Sequence, residues 1–207
     1  MEKTVSPAII KRLPRYYRVV SHLFGEGQTK VSSRVIAQIM DVTASQVRQD
    51  FCSFGDYGQQ GYGYDVKKLK DELANIMGLN KPHNMIIIGA GNIGRAIAGY
   101  KGFGDGFEVT AVFDIAPEGI DLGKIKVLHM SELKDYCGKN PVDIAVIATP
   151  GKAAAQVAAE VVDAGVKNIW NFAPTELALP GDVLVENISM SESLYVLCYY
   201  MNNRQEG

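Results

Sequence analysis

The first stretch of the chain shows apolar residues at helical spacing, and its ends carry turn signals. Ser6 followed by Pro7 is a typical helix start, and two glycines predict that this first helix ends near Phe24. Pro14 lies within the stretch, and we expect it to kink or restart the helix.

Two shorter helices are predicted next, separated by about three residues. Ser32 or Ser33 caps the first of them, which runs to Met40, and Thr43 opens the second. Thr43 and Gln46 have the spacing of a capping box, in which each side chain accepts an N–H of the other residue's backbone. A pair of helices joined in this way is typical of a helix-turn-helix unit.

The helix that begins after Thr43 has one apolar and one polar face. At about 100° per residue, the inward positions are Ala44, Val47, Phe51 and Phe54. The opposite and flanking positions are Ser45, Gln46, Arg48, Gln49, Cys52 and Ser53. A polar, mostly uncharged face suits a helix that reads base edges in the major groove. A solvated surface helix is the alternative.

A Gly- and Tyr-rich segment at 55–64 follows this helix and contains Gln59 and Gln60. Its glycines and short extended pieces predict a β-hairpin, although a flexible loop is the alternative. Asp65 then caps a helix that runs to Met77. A hairpin placed after a recognition helix predicts a winged helix.

The second half of the chain alternates buried strands with helices, which predicts a doubly wound parallel sheet of the Rossmann type. A strand at 85–88 leads directly into a G-x-G-x-x-G loop and then a helix. Gly89 permits the tight turn, Gly91 the approach of a pyrophosphate, and Gly94 close packing of the helix. The predicted loop residues are Gly89, Ala90, Gly91, Asn92, Ile93 and Gly94.

An acidic residue ends the next strand, which spans 107–113. Asp114 lies 20 residues after Gly94, the spacing at which a carboxylate accepts a hydrogen bond from a ribose 2′-OH. Because a carboxylate repels a 2′-phosphate, we expect NAD(H) rather than NADP(H) here, with Ile115 beside it. A different nucleotide, coenzyme A above all, is the alternative.

Later strands place further residues at the carboxyl edge of the sheet, where ligands of this fold bind. Thr149, Pro150 and Asn171 are therefore expected at the nicotinamide end, although turn chemistry explains the proline equally well. The histidines lie away from the strand ends where a proton donor to a nicotinamide substrate would be needed, and we identify no set of catalytic residues. The chain is predicted not to be an enzyme.

The last predicted helix begins at a second capping box, Ser189 with Glu192. Residues 194–201 are apolar around the whole helix, so this helix has to be buried. Insertion into a second subunit, as a domain swap, is the simplest arrangement. The alternative places the helix between the two domains of its own chain.

Charge is divided unevenly along the 207 residues, whose net charge is −2. Residues 1–80 carry 11 basic and 8 acidic residues, while 81–207 carry 10 and 15. The basic half suits DNA contact, which the net charge alone disfavours. We expect a DNA-binding domain at 1–80, an NAD(H)-binding domain at 83–188 and a C-terminal helix at 189–207. No membrane partner, no metal and a cytoplasmic location are expected.

Six segments are characteristic as a set: RLPRYYRV at 12–19, VTASQVRQDF at 42–51, FGDYGQQGYGY at 54–64, GAGNIG at 89–94, YKGFG at 100–104 and NFAP at 171–174. Together they resemble the Rex family of redox-sensing transcriptional repressors. The resemblance implies a homodimer that binds an inverted-repeat operator and is released when NADH binds. It also implies that Arg18, Tyr100 and Ser189 couple nucleotide state to domain orientation.

The resemblance and the polar helix face together define a predicted DNA surface. Its members are Ser32, Ser33, Thr43, Ser45, Gln46, Arg48, Gln49, Ser53, Gln59 and Gln60. The leading alternative function is a small NAD-dependent oxidoreductase with a helical appendage. A coenzyme A or nucleotide-binding module that acts through protein contacts is the third.

The chain departs from the family pattern in three places. Gln49 stands where many members have Lys, which predicts an A·T pair where other operators carry G·C. Gln59 and Gln60 stand where basic residues are common, which predicts a shallower salt dependence. Ser189 matches an Asp that precedes the last helix, and Met190, predicted beside the nucleotide, matches an aromatic residue.

Overall fold

A computed structural model describes residues 5–55, 63–104 and 106–204. The chain divides into two compact units, Met1–Lys81 and Pro82–Gly207. Among these described residues, no helix combines the length and the apolar character needed to cross a membrane.

The first unit contains four helices and a small two-stranded sheet within the part of the chain that is described. Its elements are α1 (Pro7–Gly25), β1 (Lys30–Val31), α2 (Ser33–Met40), α3 (Ala44–Cys52), β2 (Tyr64–Asp65) and α4 (Val66–Ile76). Pro14 lies inside α1, which continues past it without interruption. The β1–β2 pair is antiparallel and was not predicted, because two residues are too few to show an alternating pattern.

Side chains cap the helices of this unit. The Ser32 hydroxyl caps α2, and the Thr43 hydroxyl accepts a hydrogen bond from the Gln46 backbone N–H at 3.1 Å. The reciprocal hydrogen bond of the predicted capping box, from the Thr43 N–H to the Gln46 side chain, is not formed, and the Gln46 amide nitrogen donates to Asp50 at 2.8 Å. The predicted hairpin at 55–64 lies largely outside the described residues.

A fully buried carboxylate joins α1 to α3. Asp50 accepts hydrogen bonds from Arg12 Nε at 2.7 Å, Arg12 Nη2 at 2.9 Å, the Tyr16 hydroxyl at 2.7 Å and Gln46 Nε2 at 2.8 Å. The Tyr16 ring also packs edge-on against Phe51, with 4.9 Å between ring centroids. The carboxylate therefore fixes the orientation of α3 on α1.

Burial alone would raise the pKa of Asp50, but the hydrogen bonds from Arg12, Tyr16 and Gln46 outweigh it and lower that pKa. For Tyr16, burial and the neighbouring Asp50 carboxylate both raise the pKa of the phenol. The cluster is consequently held in one protonation state, with Asp50 ionised and Tyr16 neutral, across the neutral range.

The second unit is built on a six-stranded parallel sheet with the order β5-β4-β3-β6-β7-β8. Its strands are β3 (His83–Ile88), β4 (Phe107–Asp114), β5 (Lys126–His129), β6 (Ile144–Ile147), β7 (Asn168–Asn171) and β8 (Leu184–Asn187). Its helices are α5 (Asn92–Ala98), α6 (Leu133–Lys139), α7 (Gly151–Asp163) and α8 (Met190–Asn203), with a short 3-10 helix at Met130–Glu132.

The centre of this sheet is covered on both sides, as its sequence predicts. Apolar side chains from 85–88 and from the middle of β6 are fully buried. In contrast, the large apolar residues of α8, from Leu194 to Met201, are more than half exposed in the single chain. The final helix therefore carries a run of apolar side chains that the single chain leaves uncovered.

Replacing Asp50 tests the buried cluster. We expect Asp50→Asn to lower the local unfolding free energy of α1 and α3 by about 2–4 kcal/mol, because Arg12 loses its buried charged partner. Native-state hydrogen exchange of these helices in the full chain measures this change. Asp71→Asn is the control, because Asp71 lies on the surface of α4 in an exposed pair with Lys67.

The protection of α1 and α3 against hydrogen exchange should decrease in acid. Since folding lowers the pKa of Asp50, its contribution is complete above the unfolded value of about 3.9 and is lost as pH falls through the folded value. Equal effects of the two substitutions, or protection that does not change in acid, would contradict the role given to Asp50.

Candidate functional site

The order of strands reverses between β3 and β6, and the loops that follow these two strands touch. Gly89 has φ +102°, and a Cβ there would lie 2.8 Å from the Ala148 carbonyl oxygen and 3.2 Å from Thr149 Cγ2. Only glycine combines this positive φ with the lack of a Cβ that such a close approach requires. The loop after β3 thus lies at the switch point where doubly wound sheets bind ligands.

The other two glycines of the loop differ sharply in their surroundings. A Cβ at Gly94 would lie 1.9 Å from the Gly89 carbonyl oxygen, so glycine is what allows α5 to pack so closely. Gly91 has an ordinary φ of −70° and no atom within 4 Å of its Cβ position. The backbone at Gly91 therefore faces open space that a ligand can enter.

Polar groups hold this loop from two sides. Asp114, at the end of β4, accepts a hydrogen bond from the Ala90 N–H at 2.6 Å and another from the Ala116 N–H at 3.0 Å. Arg95, on α5, donates from Nε to the Ala90 carbonyl oxygen at 2.7 Å. Ile115, next to the acid, is 81% exposed.

Residues after β6 and β7 occupy the same edge of the sheet. The Thr149 hydroxyl oxygen is buried and has no hydrogen-bond partner among the described residues. Pro150 is the N-cap residue of α7. Asn171 is 1% exposed, and its side-chain amide makes hydrogen bonds with Thr175, Asn187 and Ala173. Its side chain therefore holds the neighbouring backbone and β8 together.

These features fit a dinucleotide. The open backbone at Gly91 and the helix start at Asn92 and Ile93 present N–H groups suited to a pyrophosphate. The carboxylate of Asp114 suits a ribose hydroxyl, and the unpaired Thr149 hydroxyl supplies a polar group at the far side of the switch point.

The predicted DNA surface is partly assembled on α2 and α3. Arg48 donates from Nη1 to the Ser33 hydroxyl at 3.2 Å and from Nη2 to the Ser45 hydroxyl at 3.1 Å. The Ser53 hydroxyl donates to the Gln49 backbone carbonyl, and the Gln49 side chain is exposed. Arg48 thus joins the two helices on an exposed face.

Three other predicted DNA contacts have structural partners. The hydroxyls of Ser32 and Thr43 accept helix N–H groups as caps, and the Gln46 amide nitrogen donates to Asp50. These bonds reduce what each side chain has left to offer a base or phosphate. Gln59 and Gln60 lie outside the described residues.

The three residues assigned to coupling are all accessible. Arg18 lines a cavity of about 410 Å³ beside α1. Tyr100 is 58% exposed, and its ring packs edge-on against Phe103 at 4.7 Å. Ser189 caps α8 through its hydroxyl, and Met190, the first residue of that helix, is 65% exposed.

Two functional features escaped the sequence reasoning. Asp50 was not singled out, although a carboxylate between Val47 and Phe51 on an apolar helix face is a recognisable signal for a buried ion pair. Arg95 follows the third glycine directly, and nothing in its spacing indicates that it bonds the loop backbone.

The two glycines give a matched pair of substitutions. Gly94→Ala should destabilise the second unit markedly, because its methyl group collides with the Gly89 carbonyl, while Gly91→Ala should leave the fold intact. Thermal unfolding and hydrogen exchange at β3 and α5 measure the difference. Equal stability of the two variants would contradict the close approach described above.

Both units of the chain are similar to known proteins. Residues 4–52 match a family model described as "Putative DNA-binding protein N-terminus", and residues 80–175 match one described as "CoA binding domain". The redox-sensing transcriptional repressor Rex of Clostridioides difficile (strain 630) is 45% identical over 202 residues, which cover 96% of each chain. The protein of the same name from Clostridium perfringens (strain SM101 / Type A) is 44% identical over 98% of this chain and 97% of its own.

Solved structures are similar over the same length. RSP in complex with beta-NAD+ and operator DNA has a TM-score of 0.91 and 43% identity, covering 97% of this chain and 94% of its own. RSP in complex with beta-NADH has a TM-score of 0.90 and 40% identity, covering 98% and 96%. The predicted architecture and the predicted family resemblance are both confirmed. With this identity over nearly its full length, the chain belongs to the Rex family of redox-sensing transcriptional repressors.

Proposed function

We propose that the protein is a transcriptional repressor that binds an inverted-repeat operator as a homodimer and leaves it when it binds NADH. The observation that carries this proposal is the presence of both required surfaces in one chain. A glycine cradle with Asp114 lies in the second unit, and a polar helix face organised by Arg48 lies in the first.

NAD(H) is the proposed cofactor. The open backbone at Gly91 would receive the pyrophosphate, the Asp114 carboxylate would accept from the ribose, and the Thr149 hydroxyl would meet the nicotinamide half. When bound, NAD(H) supplies the redox state of its nicotinamide ring, which is the signal that the protein senses.

The operator is proposed to meet the exposed face of α3. Arg48 suits guanine O6 and N7 or a phosphate, and Gln49 suits adenine N6 and N7. In the free protein Arg48 is held by two serine hydroxyls, so its guanidinium is already oriented before DNA arrives.

A homodimer follows from α8. Its exposed apolar surface needs a partner, and a second copy of the chain supplies one when the two C-terminal helices are exchanged. Two copies also match the two half-sites of an inverted repeat. We place the working protein in the cytoplasm, together with the DNA it regulates.

Coupling requires two arrangements of the dimer that differ in their affinity for DNA. NADH must favour the arrangement that does not bind DNA more strongly than NAD⁺ does, and the effect is reciprocal. Arg18, Tyr100 and Ser189 are the proposed coupling residues, and all three remain accessible for new contacts.

Two other functions are less well supported. A small oxidoreductase would need an acid or base beside the nicotinamide, which we have not identified among the described residues. Coenzyme A binding agrees with the description of one matching family model, but its 3′-phosphate would meet the Asp114 carboxylate. The two relatives named above match this chain over nearly their full length, and both are named as repressors.

A mobility-shift titration separates these functions. The protein should shift an inverted-repeat duplex, and micromolar-scale NADH should release it whereas NAD⁺ should not. Coenzyme A should have no effect. Absence of a shift under every nucleotide condition would contradict the proposal.

Two variants test whether NADH binding and operator binding use separate surfaces. Gly91→Val should keep operator binding and lose the NADH response, because its side chain fills the open space of the cradle. Arg48→Ala should keep NADH binding and lose operator affinity by about tenfold or more. If both variants lost both properties, the separation of the two surfaces would be wrong.

Base preference at one operator position tests Gln49. Gln49→Lys should move the preferred pair from A·T toward G·C by about tenfold. Gln38→Lys on α2 is the control, since it adds the same charge at another exposed position and should raise affinity for both duplexes alike. Unchanged preference in Gln49→Lys would overturn the assignment.

A further inference from the structure

The peptide groups on either side of Ala90 are each fixed by a side chain. Both peptides are trans, so within each one the C=O and the N–H point in opposite directions. The Ala90 N–H donates to Asp114 at 2.6 Å, which turns the Gly89 carbonyl toward α5. The extremely close approach of that carbonyl to the Gly94 Cβ position agrees with this orientation.

The second peptide is fixed by Arg95. Its Nε donates to the Ala90 carbonyl at 2.7 Å, which turns the Gly91 N–H the other way. Gly91 is exposed, and no atom lies within 4 Å of its Cβ position. Arg95 therefore turns the Gly91 N–H away from its own guanidinium, in a part of the loop where the space beside Gly91 is open.

We propose that Arg95 is a positioning residue for nucleotide binding, which acts by holding the Ala90–Gly91 peptide so that the Gly91 N–H faces the pyrophosphate. This inference rests on the NAD(H) site proposed above. In this proposal Arg95 acts through the hydrogen bond that its guanidinium Nε donates to the Ala90 carbonyl, and not through the attraction of its positive charge to the pyrophosphate.

Two substitutions separate the hydrogen bond from the charge. Gln carries its amide nitrogen the same number of bonds from Cα as Arg carries Nε, so Arg95→Gln keeps the donor and removes the charge. Met has the same length without a donor. Lys134→Met, at an exposed position on α6, controls for the loss of one positive charge from this unit.

Isothermal titration of the full-length dimer with NADH and with ADP-ribose is the test. Arg95→Met should weaken both ligands by about tenfold, the worth of one well-placed hydrogen bond. Arg95→Gln should restore most of that loss, and Lys134→Met should match the unsubstituted protein. The thermal midpoint without ligand should be similar in Arg95→Met and Arg95→Gln, so that a difference in affinity reports positioning.

The outcomes are distinct. Equal weakening in Arg95→Gln and Arg95→Met would overturn the inference, since the charge would then be the active feature. Unchanged affinity in Arg95→Met would overturn it as well. Failure of the unsubstituted protein to bind NADH would instead contradict the proposed function.

Discussion

The backbone of the loop after β3 is the feature on which the proposed nucleotide site depends. It packs closely at Gly89 and Gly94 and leaves space open beside Gly91. A Cβ at Gly94 would collide with the Gly89 carbonyl, and a Cβ at Gly89 would collide with the Ala148 carbonyl, whereas the space beside Gly91 is open. Asp114 and Arg95 then hold the two peptides on either side of Ala90. The close packing and the hydrogen bonds together fix the backbone of this loop, which is the proposed site of the pyrophosphate.

A second rigid centre, in the first unit, serves a different purpose. The buried Asp50 carboxylate ties α3 to α1 through Arg12 and Tyr16. Because this cluster lies on the inner side of α3, it orients the outer side, where Arg48 is exposed. The helix proposed to read DNA is therefore mounted on a polar anchor rather than on apolar packing alone, and rotation of α3 would break several charged hydrogen bonds at once.

The sequence predicted most of the architecture and only part of the site chemistry. Strands such as 85–88 and the loop glycines are local patterns, so both were predicted close to their observed positions. The β1–β2 pair depends on residues that are far apart in the chain, and no local pattern indicates it. The place of Asp50 on an apolar helix face signals a buried ion pair, but no local pattern identifies Arg12 and Tyr16 as its partners. Gln46 shows the same limit: its spacing from Thr43 predicts a capping box, but its side-chain amide donates a hydrogen bond to the buried Asp50 carboxylate.

The central claim is that one chain converts the redox state of a nucleotide into release from DNA. Fluorescence anisotropy of a labelled operator duplex, at constant total NADH plus NAD⁺ and varied ratio, measures that conversion directly. The bound fraction should fall as the NADH share rises and should return when NAD⁺ replaces NADH. A bound fraction that follows total nucleotide and ignores the ratio would contradict it.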